Sequence, residues 1–302
     1  MYIERKAVRT PFRLLARLPV GPRRRLLYAL YQRGWLRLRR PNTFSAKVNW
    51  RIVFDRRSIL VAACDKEASK LIASTKAADL VRIPKTVWFG TDLASLAHVE
   101  LPHRWVLKPN SGSGRAIFGS GSADVPAIIA HTHDWLEDDM NAIFGCWAYS
   151  QARSAFLVEE QIGDSDGRLL DYKVYCFGGV PHFVQVVDES GGRHAFAHYT
   201  PNWRRLETRM TGRGRISPET AEIQRPERLD DLLEAAARIA APYDFMRVDF
   251  YIVNDELWFG EMTPYPSGGV SRFHPASHDE QFGALWTLPS SSLPAATRAR
   301  PR

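Results

Sequence analysis

Cysteine is scarce in this 302-residue chain: Cys64, Cys146 and Cys176 are its three thiols, and no CxxC spacing links them. An odd, sparse set excludes a disulfide scaffold and fits a reducing cytoplasm. The nine histidines are scattered. His131 and His133 form the one close pair, and no neighbouring Cys or acid pattern completes a zinc site, so the pair reads as surface. Long apolar runs are also lacking. Arg or Lys breaks every candidate before the roughly 18 residues that a membrane span needs. The segment from Phe12 to Val20 is interrupted by Arg13 and Arg17 and followed by Gly21 and Pro22, which argues against a secretory signal. No repeat of about 20 to 50 residues stands out, which excludes a solenoid. What remains, with 45% apolar and 25% charged residues, is a soluble or peripheral globular chain able to bury a real core.

Acids are almost absent from the first part of the chain. Residues 1–57 carry 16 Lys and Arg against Glu4 and Asp55, leaving 25 basic against 31 acidic residues beyond. A strongly basic head therefore precedes a mildly acidic body. Arg23 to Arg25 lie among Leu26, Leu27, Leu30 and Tyr31, and Arg37, Arg39 and Arg40 surround Trp35, Leu36 and Leu38. Such stretches suit an anionic membrane surface or a polyanionic partner, and equally a basic helix packed on its own domain. Nucleic acid is the less favoured partner, because the body is acidic and carries no recognisable binding module.

Punctuation places the elements. Arg104 to Lys108 reads as a strand entering the small-residue loop Pro109 to Gly114, with a second strand at 116–118. Residues 126–149 read as mostly helical, and a strand at 156–158 ends in Glu159 and Glu160. Strands 172–177 and 182–187 are joined by Gly178-Gly179, a two-residue turn. The Arg-rich stretch 204–226 reads as loop. A helix over 230–241 has acids at its start and Pro242 at its end, and strands 246–253 and 257–262 follow, joined by 254–256.

Four features carry chemistry. Lys108 stands beside Ser111, Gly112, Ser113 and Gly114; glycines let backbone N–H groups approach phosphate oxygens, and the lysine supplies charge. The loop is not a Walker A, since no GK[ST] closes it, nor a dinucleotide fingerprint, since no helix opens after its glycines. Asp249 and Glu261 lie on strands predicted to pair, each among apolar neighbours. Carboxylates there cost several kcal/mol unless paired or metal-bound, so they are either a Mg2+ site bridging nucleotide phosphates or an ion-pair network with Arg247. Glu159 to Ile162 leave a strand edge whose peptide groups suit an adenine, and Asp171 suits a ribose hydroxyl. Asp65 and Lys66 open a helix ahead of them all.

Taken in order, Asp65-Lys66, Lys108 with its glycine loop, Glu159 to Ile162, Asp171-Tyr172-Lys173, Arg247-Val248-Asp249 and Gly260-Glu261 resemble the ATP-grasp superfamily. Val48-Asn49-Trp50, the run Asp171 to Gly179, Arg247 to Tyr251 and Phe259 to Thr263 are most similar to its TupA-like branch, associated with teichuronopeptide and cell-surface polysaccharide biosynthesis. The resemblance covers residues 44–283. It implies an α+β ATP-grasp fold in which two α+β subdomains sandwich ATP. The ATP-grasp domain would span 58–287, with a lid subdomain at 104–160 and a larger metal-binding subdomain at 161–287. A short basic helical segment, 1–57, would replace the usual N-terminal α/β domain, and 288–302 would be a disordered tail.

The resemblance also implies roles. Lys66 and Lys108 hold the α- and β-phosphates, and Ser111, Gly112, Ser113 and Gly114 close over the β- and γ-phosphates. The peptide groups of Glu160 and Ile162 meet the adenine edge, the Glu159 carbonyl takes the amino group, and Asp171 takes the ribose. Asp249, Glu261 and Thr263 ligate one or two Mg2+ ions, with Mn2+ as a substitute; Thr263 stands where many ATP-grasp enzymes have Asn, and Thr is usual in the TupA-like branch. Lys173, Arg247 and Arg272 face the transferred phosphoryl group or the substrate carboxylate, Arg272 together with the loop Ser267 to Gly269. The implied reaction is ADP-forming ligation through an acyl phosphate, which an amine or similar nucleophile displaces. The expected partners are a small-molecule or glycan carboxylate and an amine acceptor in the cytoplasm, with the head touching the anionic inner face of the membrane or glycan-assembly proteins. Two rivals stay open. One is a sugar-transferring enzyme using Asp164-Ser165-Asp166, and the other is a non-catalytic nucleotide-binding component of a surface-glycan assembly.

Overall fold

The computed structural model describes residues 2–4, 14–112, 114–137, 143–163, 169–188, 195–212 and 215–290. Strands β1 (Tyr2–Glu4), β2 (Thr86–Gly90), β3 (Arg104–Pro109), β4 (Arg115–Ser120) and β5 (Phe156–Glu160) form a five-stranded sheet in the order β1-β4-β3-β5-β2. Then come β6 (Leu170–Phe177), β7 (Val180–Asp188), β8 (Ala195–Tyr199), β9 (Arg205–Leu206), β10 (Arg209–Gly212), β11 (Arg215–Ile216), β12 (Phe245–Val253), β13 (Glu256–Thr263) and β14 (Phe273–His274). Six of these make a larger sheet, β13-β12-β6-β7-β8-β9, and three a small one, β11-β10-β14. Every pairing within the two larger sheets is antiparallel.

Alternation along the central strands divides the larger sheet into a charged face and an apolar face. In β12, Arg247 and Asp249 alternate with the fully buried Val248 and Phe250; in β6, Asp171, Lys173 and Tyr175 alternate with Tyr172, Val174 and Cys176. The apolar face receives the helix Leu229–Ala240, which packs on β6, β7 and β12. That helix buries Leu229, Leu232, Ala236, Ile239 and Ala240 at helical spacing, and Asp230 and Asp231 sit in its first turn, where the dipole favours them.

One strand obeys the alternation only through a bulge. Phe259 and Glu261 have the same parity, so an unbroken strand would send both to one face. The register passes from Phe250 opposite Phe259 to Asp249 opposite Glu261, leaving Gly260 as the extra residue. Phe259 thereby enters the core at 0% exposure while Glu261 joins the charged face. Glycine is required there because a Cβ on Gly260 would lie 2.9 Å from the Asp249 carbonyl oxygen.

The basic segment is built into the body. The helix Phe44–Phe54, capped by Thr43 accepting from the Ala46 N–H at 3.1 Å, buries Phe44 against the rings of Tyr175, Phe177, Phe245, Phe273 and Trp286. Arg51 of the same helix is fully buried. It donates to the carbonyls of Phe245 at 2.9 Å and Pro264 at 3.2 Å and to Asp244 at 2.7 Å, and lies 4.3 Å from the Trp286 ring. Together with the helix Val20–Gln32, whose Arg23 and Arg24 are also buried, it forms part of the same core. Of the two readings of this segment, a packed helix therefore holds for Arg23, Arg24 and Arg51.

One local expectation gives way. The stretch 204–226 holds β9, β10 and β11, because β10 finds its partner in β14, some sixty residues on, through Arg209 opposite His274. Residues 126–149 are mostly helical where described, in the helix Val125–Thr132, at 143–144 and from Trp147, with turns at 133–136 and residues 138–142 outside the described ones. Residues 291–302 of the expected tail and the triplet Asp164-Ser165-Asp166 lie outside the described residues.

Two substitutions test this architecture. Gly260→Ala, forced against the Asp249 carbonyl, is expected to cost about 1–3 kcal/mol in urea unfolding. Arg51→Ala removes the cation that Asp244 shares with Arg57 and leaves two carbonyls unsatisfied, so it should cost about 3–5 kcal/mol. A loss below 0.5 kcal/mol in either would contradict the packing described.

Candidate active site

The antiparallel register sets Asp249 directly opposite both Glu261 on β13 and Lys173 on β6, and Arg247 opposite Thr263. These side chains share one face and bond to one another. Arg247 donates to both Asp249 oxygens at 2.7 and 2.6 Å, to Glu261 at 3.2 Å and to the Thr263 hydroxyl at 3.0 Å. Thr263 donates to Glu261 at 3.0 Å, and Lys173 donates to Asp249 at 2.8 Å and, closer still, to Asp171. Asp249 is 1% exposed. Burial alone would raise its pKa, but Arg247 and Lys173 hold it below the ordinary carboxylate value. Asp171 goes the other way: burial, with the Asp249 charge adding to it, outweighs Lys173 and pushes it up to about 6. Its Oδ1 is buried and has no hydrogen-bond partner among the described residues.

The lysines come from the helix Lys66–Ala77 and from β3. Asp65 caps the helix Lys66–Ala77 by accepting from the Ala68 N–H at 2.9 Å. Burial would raise the Asp65 carboxyl, yet Arg153, bonding it at 2.7 and 2.8 Å, and the Ala68 amide hold it at about 2. Lys66 follows. Its N–H donates to the Asn110 carbonyl at 3.1 Å, and its ammonium to the Gly112 carbonyl at 2.7 Å. No carboxylate pairs with it among the described residues. Burial draws it down to about 8, while Glu261 and Glu159 pull upward and Lys108 downward, so Lys66 senses both clusters. Gly112 and Gly114 take left-handed backbone angles, φ +83 and +80, in the loop after β3; Ser113 lies outside the described residues.

Two residues, Lys70 and Asn110, and the side chain of Glu159 escape a motif reading. The Glu159 side chain, 3% exposed, pairs with Lys108 and, at 2.5 Å, with Lys70. Lys70 stands four residues after Lys66 and so shares its helix face, which is the signal that could have found it. Asn110, fully buried, joins the loop to the helix by accepting from the Glu67 N–H at 3.2 Å and donating to the Arg153 carbonyl at 3.0 Å.

The remaining expected residues stand apart from the two clusters. The Glu160 N–H donates to the Lys85 carbonyl at 3.1 Å, and its carboxylate accepts from the Lys85 N–H at 2.7 Å, which leaves the Glu160 carbonyl rather than its N–H for a ligand. Ile162 lines a cavity of about 200 Å³ with Gln161, Gly163, Val253, Asn254 and Trp258. Arg272 is tied through its backbone to Thr211, and its guanidinium has no ion pair among the described residues.

Behind Thr263 the chain enters a loop in which Ser267, Gly268 and Gly269 all have positive φ. The N-terminal helices hold it. Arg24 donates to the Gly268 carbonyl at 2.6 Å and to Asn49 at 2.7 Å, Asn49 donates to the Gly269 carbonyl at 2.8 Å, and Gln32 donates to the Ser271 carbonyl at 2.7 Å. A Cβ on Gly269 would lie 2.8 Å from the Asn49 amide nitrogen.

Among solved structures the chain is similar to an L-amino acid ligase from Bacillus licheniformis, at 14% identity and a TM-score of 0.43, over 76% of this chain and 50% of that one. It is also similar to D-alanine–D-alanine ligases. The one from Helicobacter pylori has 16% identity and a TM-score of 0.38, over 77% of this chain and 61% of that one. The one from Bacillus anthracis, complexed with ATP, has 14% identity and a TM-score of 0.39, over 74% and 57%. The chain thus spans half to three-fifths of the length of these structures. A search of curated proteins gives no match. Residues 46–287 match the model of the TupA-like ATPgrasp family, which covers the charged hairpin, the lysine helix and the glycine loop, and the chain belongs to that family.

Proposed function

We propose that the chain is an ATP- and Mg2+-dependent ligase that activates a carboxylate as an acyl phosphate and joins it to an amine or similar nucleophile with release of ADP, in the assembly of a cell-surface polysaccharide or teichuronopeptide-type polymer. The observation that supports this best is the division of charge across the cleft. On the larger sheet Asp171, Asp249 and Glu261 face two cations, Lys173 and Arg247. On the other side Lys66, Lys70 and Lys108 face Glu159 and Glu67. A purely structural network would balance each side. Here each side keeps one charge in excess, of opposite sign, as a nucleotide phosphate chain with its metal requires.

The donor set fits that group. Two carboxylates and a hydroxyl on facing strands leave the remaining positions to phosphate and water, as Mg2+ prefers. When bound, the ion would supply charge neutralisation at the phosphates, held by Asp249, Glu261 and Thr263. Lys66 and Lys108 are suited to the α- and β-phosphates, and the loop from Ser111 to Gly114 to covering the β- and γ-phosphates. Asp171, with its unpartnered oxygen, can accept a ribose hydroxyl. Lys173 and Arg247 would meet the transferred phosphoryl group, and Arg272 with the loop at 267–269 the substrate carboxylate. Closure over the site would keep water from the acyl phosphate.

Three measurements check the reading. Purified protein with Mg2+, ATP, uronates and amino acids should release ADP only when both a carboxylate and an amine are present. No ADP with any pair, together with no ATP-induced thermal shift, would sink the proposal. Glu261→Gln should lower turnover by about 100-fold or more. Because 30% of that side chain is exposed, unfolding temperature should hardly move; unchanged turnover would remove Glu261 from the site. Finally, the Lys66 ammonium, drawn down to about 8, loses its proton above that pH in the free chain. ATP affinity should therefore fall as pH rises from 7 to 9.5, and Lys66→Met should flatten the profile. A pH-independent affinity in the native chain would count against the lysine's role.

A further inference from the structure

The helix Val20–Gln32 has two characters. Its inner side, with Arg23, Arg24, Leu27 and Tyr28, is buried. Its outer side carries Leu26 and Leu30, one turn apart and 41% and 58% exposed. Just beyond the helix comes Trp35, the most exposed large apolar residue described, at 88%. From Trp35 to Arg39 burial alternates strictly: Leu36 and Leu38 are 7% and 6% exposed, and Trp35, Arg37 and Arg39 are turned outward. Period-two burial fixes that orientation, because Leu36 and Leu38 pack with Tyr28 and Trp50.

Along the chain around these residues the charge has one sign. Arg33, Arg37, Arg39 and Arg40 are all exposed, and none has a carboxylate partner among the described residues. No acid occurs between Glu4 and Asp55, and Asp55 is fully buried against Arg51 and Arg57. The structure thus uses Arg23, Arg24 and Arg51 internally and ties Arg57 to Asp55 and Asp244, while Arg33, Arg37, Arg39 and Arg40 keep no carboxylate partner among the described residues.

We propose that this face lies on an anionic lipid surface, with Trp35, Leu30 and Leu26 at the level of the headgroup boundary and the arginine rim on the phosphates. Among the described residues no helix is long and apolar enough to cross a membrane, so the contact is peripheral. A second copy of the chain is a poor occupant, since a two-fold contact would set one arginine rim against another. Nucleic acid would match the arginines and leave the leucines and tryptophan without a complement. A lipid interface matches both at once. The proposal does not depend on the ligase reading, because none of these residues touches the cleft.

Flotation of the full chain with vesicles tests it. Vesicles with about 30% phosphatidylglycerol should bind the protein at 0.1 M salt, and pure phosphatidylcholine or 0.5 M salt should lower binding at least tenfold, because each basic residue at the surface contributes about fivefold to partition. The double variant Leu30→Ser/Trp35→Ser and, separately, Arg37→Gln/Arg39→Gln/Arg40→Gln should each lose tenfold or more while keeping the native unfolding temperature. Equal binding to neutral vesicles, binding unaffected by either variant, or a native dimer dissociated by Trp35→Ser would overturn the proposal. So would equal affinity for double-stranded DNA that disappears only in the arginine variant.

Discussion

An ionised carboxylate inside a sheet can persist only where cations and hydrogen-bond donors reach it, and Asp249 imposes that condition on its surroundings. Among its neighbours on the same face, the i−2 residue and the partner on β6 supply the cations, Arg247 and Lys173, while its partner on β13 is the acid Glu261. Arg247 is buried and Lys173 largely so, its side chain 15% exposed. Burial opposes the Lys173 and Arg247 charges, yet the neighbouring carboxylates raise both pKa values above the ordinary ones. The middle of one face of β6, β12 and β13 is thereby committed to charge, while Tyr175, Phe177 and Phe245 on the same face pack against Phe44. The bulge at Gly260 follows from that commitment, since without it Phe259 would occupy the face that Glu261 needs.

The same accounting explains the basic segment. Buried arginines are stabilising only when their forks are satisfied, and Arg24 and Arg51 each place one bond on a main-chain carbonyl after Thr263, that of Gly268 and that of Pro264, and the rest on Asn49, Phe144, Phe245 and Asp244. Their planar, five-donor geometry fixes several carbonyls at once, which a lysine would not do. Residues 267–269 depart from ordinary backbone angles, and a loop of that kind holds one shape only if its surroundings determine it. The N-terminal helices supply that restraint. On the proposed reading they act at a distance on the acceptor end of the site.

Much of this was legible in the residues. Strands β6, β7, β12 and β13 follow from alternation and from the Gly178-Gly179 and Asn254-Asp255 turns, and the convergence of Asp249 with Glu261 follows from the hairpin between them. The TupA-like resemblance, carried by short phrases in order, agrees with the family match over residues 46–287. Less legible were features set by partners remote in sequence. The pairing of β10 with β14 and the parking of Lys108 on Glu159 beside Lys70 depend on tertiary neighbours, so neither periodicity nor motif announces them. The fate of individual arginines was hidden for the same reason: Arg24 and Arg25 are adjacent in sequence, yet one is buried and the other exposed, and only the seat of the helix on the core decides which.

The position of Lys66 links these parts. Its helix packs on β13 and on the helix Leu229–Ala240, which belong to the larger sheet, while its backbone and ammonium bond to Asn110 and Gly112, which belong to the loop of the smaller one. It is a half-buried cation whose acceptor is a neutral carbonyl. A neutral acceptor compensates desolvation less well than an anion does, and its depressed pKa reflects that shortfall. On the proposed reading a phosphate oxygen competes for Lys66 with the Gly112 carbonyl and wins on charge. The glycine loop, released from that bond, is then free to adjust its amides to the same phosphates. Binding of the nucleotide and rearrangement of the loop over it become one exchange of hydrogen bonds, driven by the charge that each half of the cleft lacks.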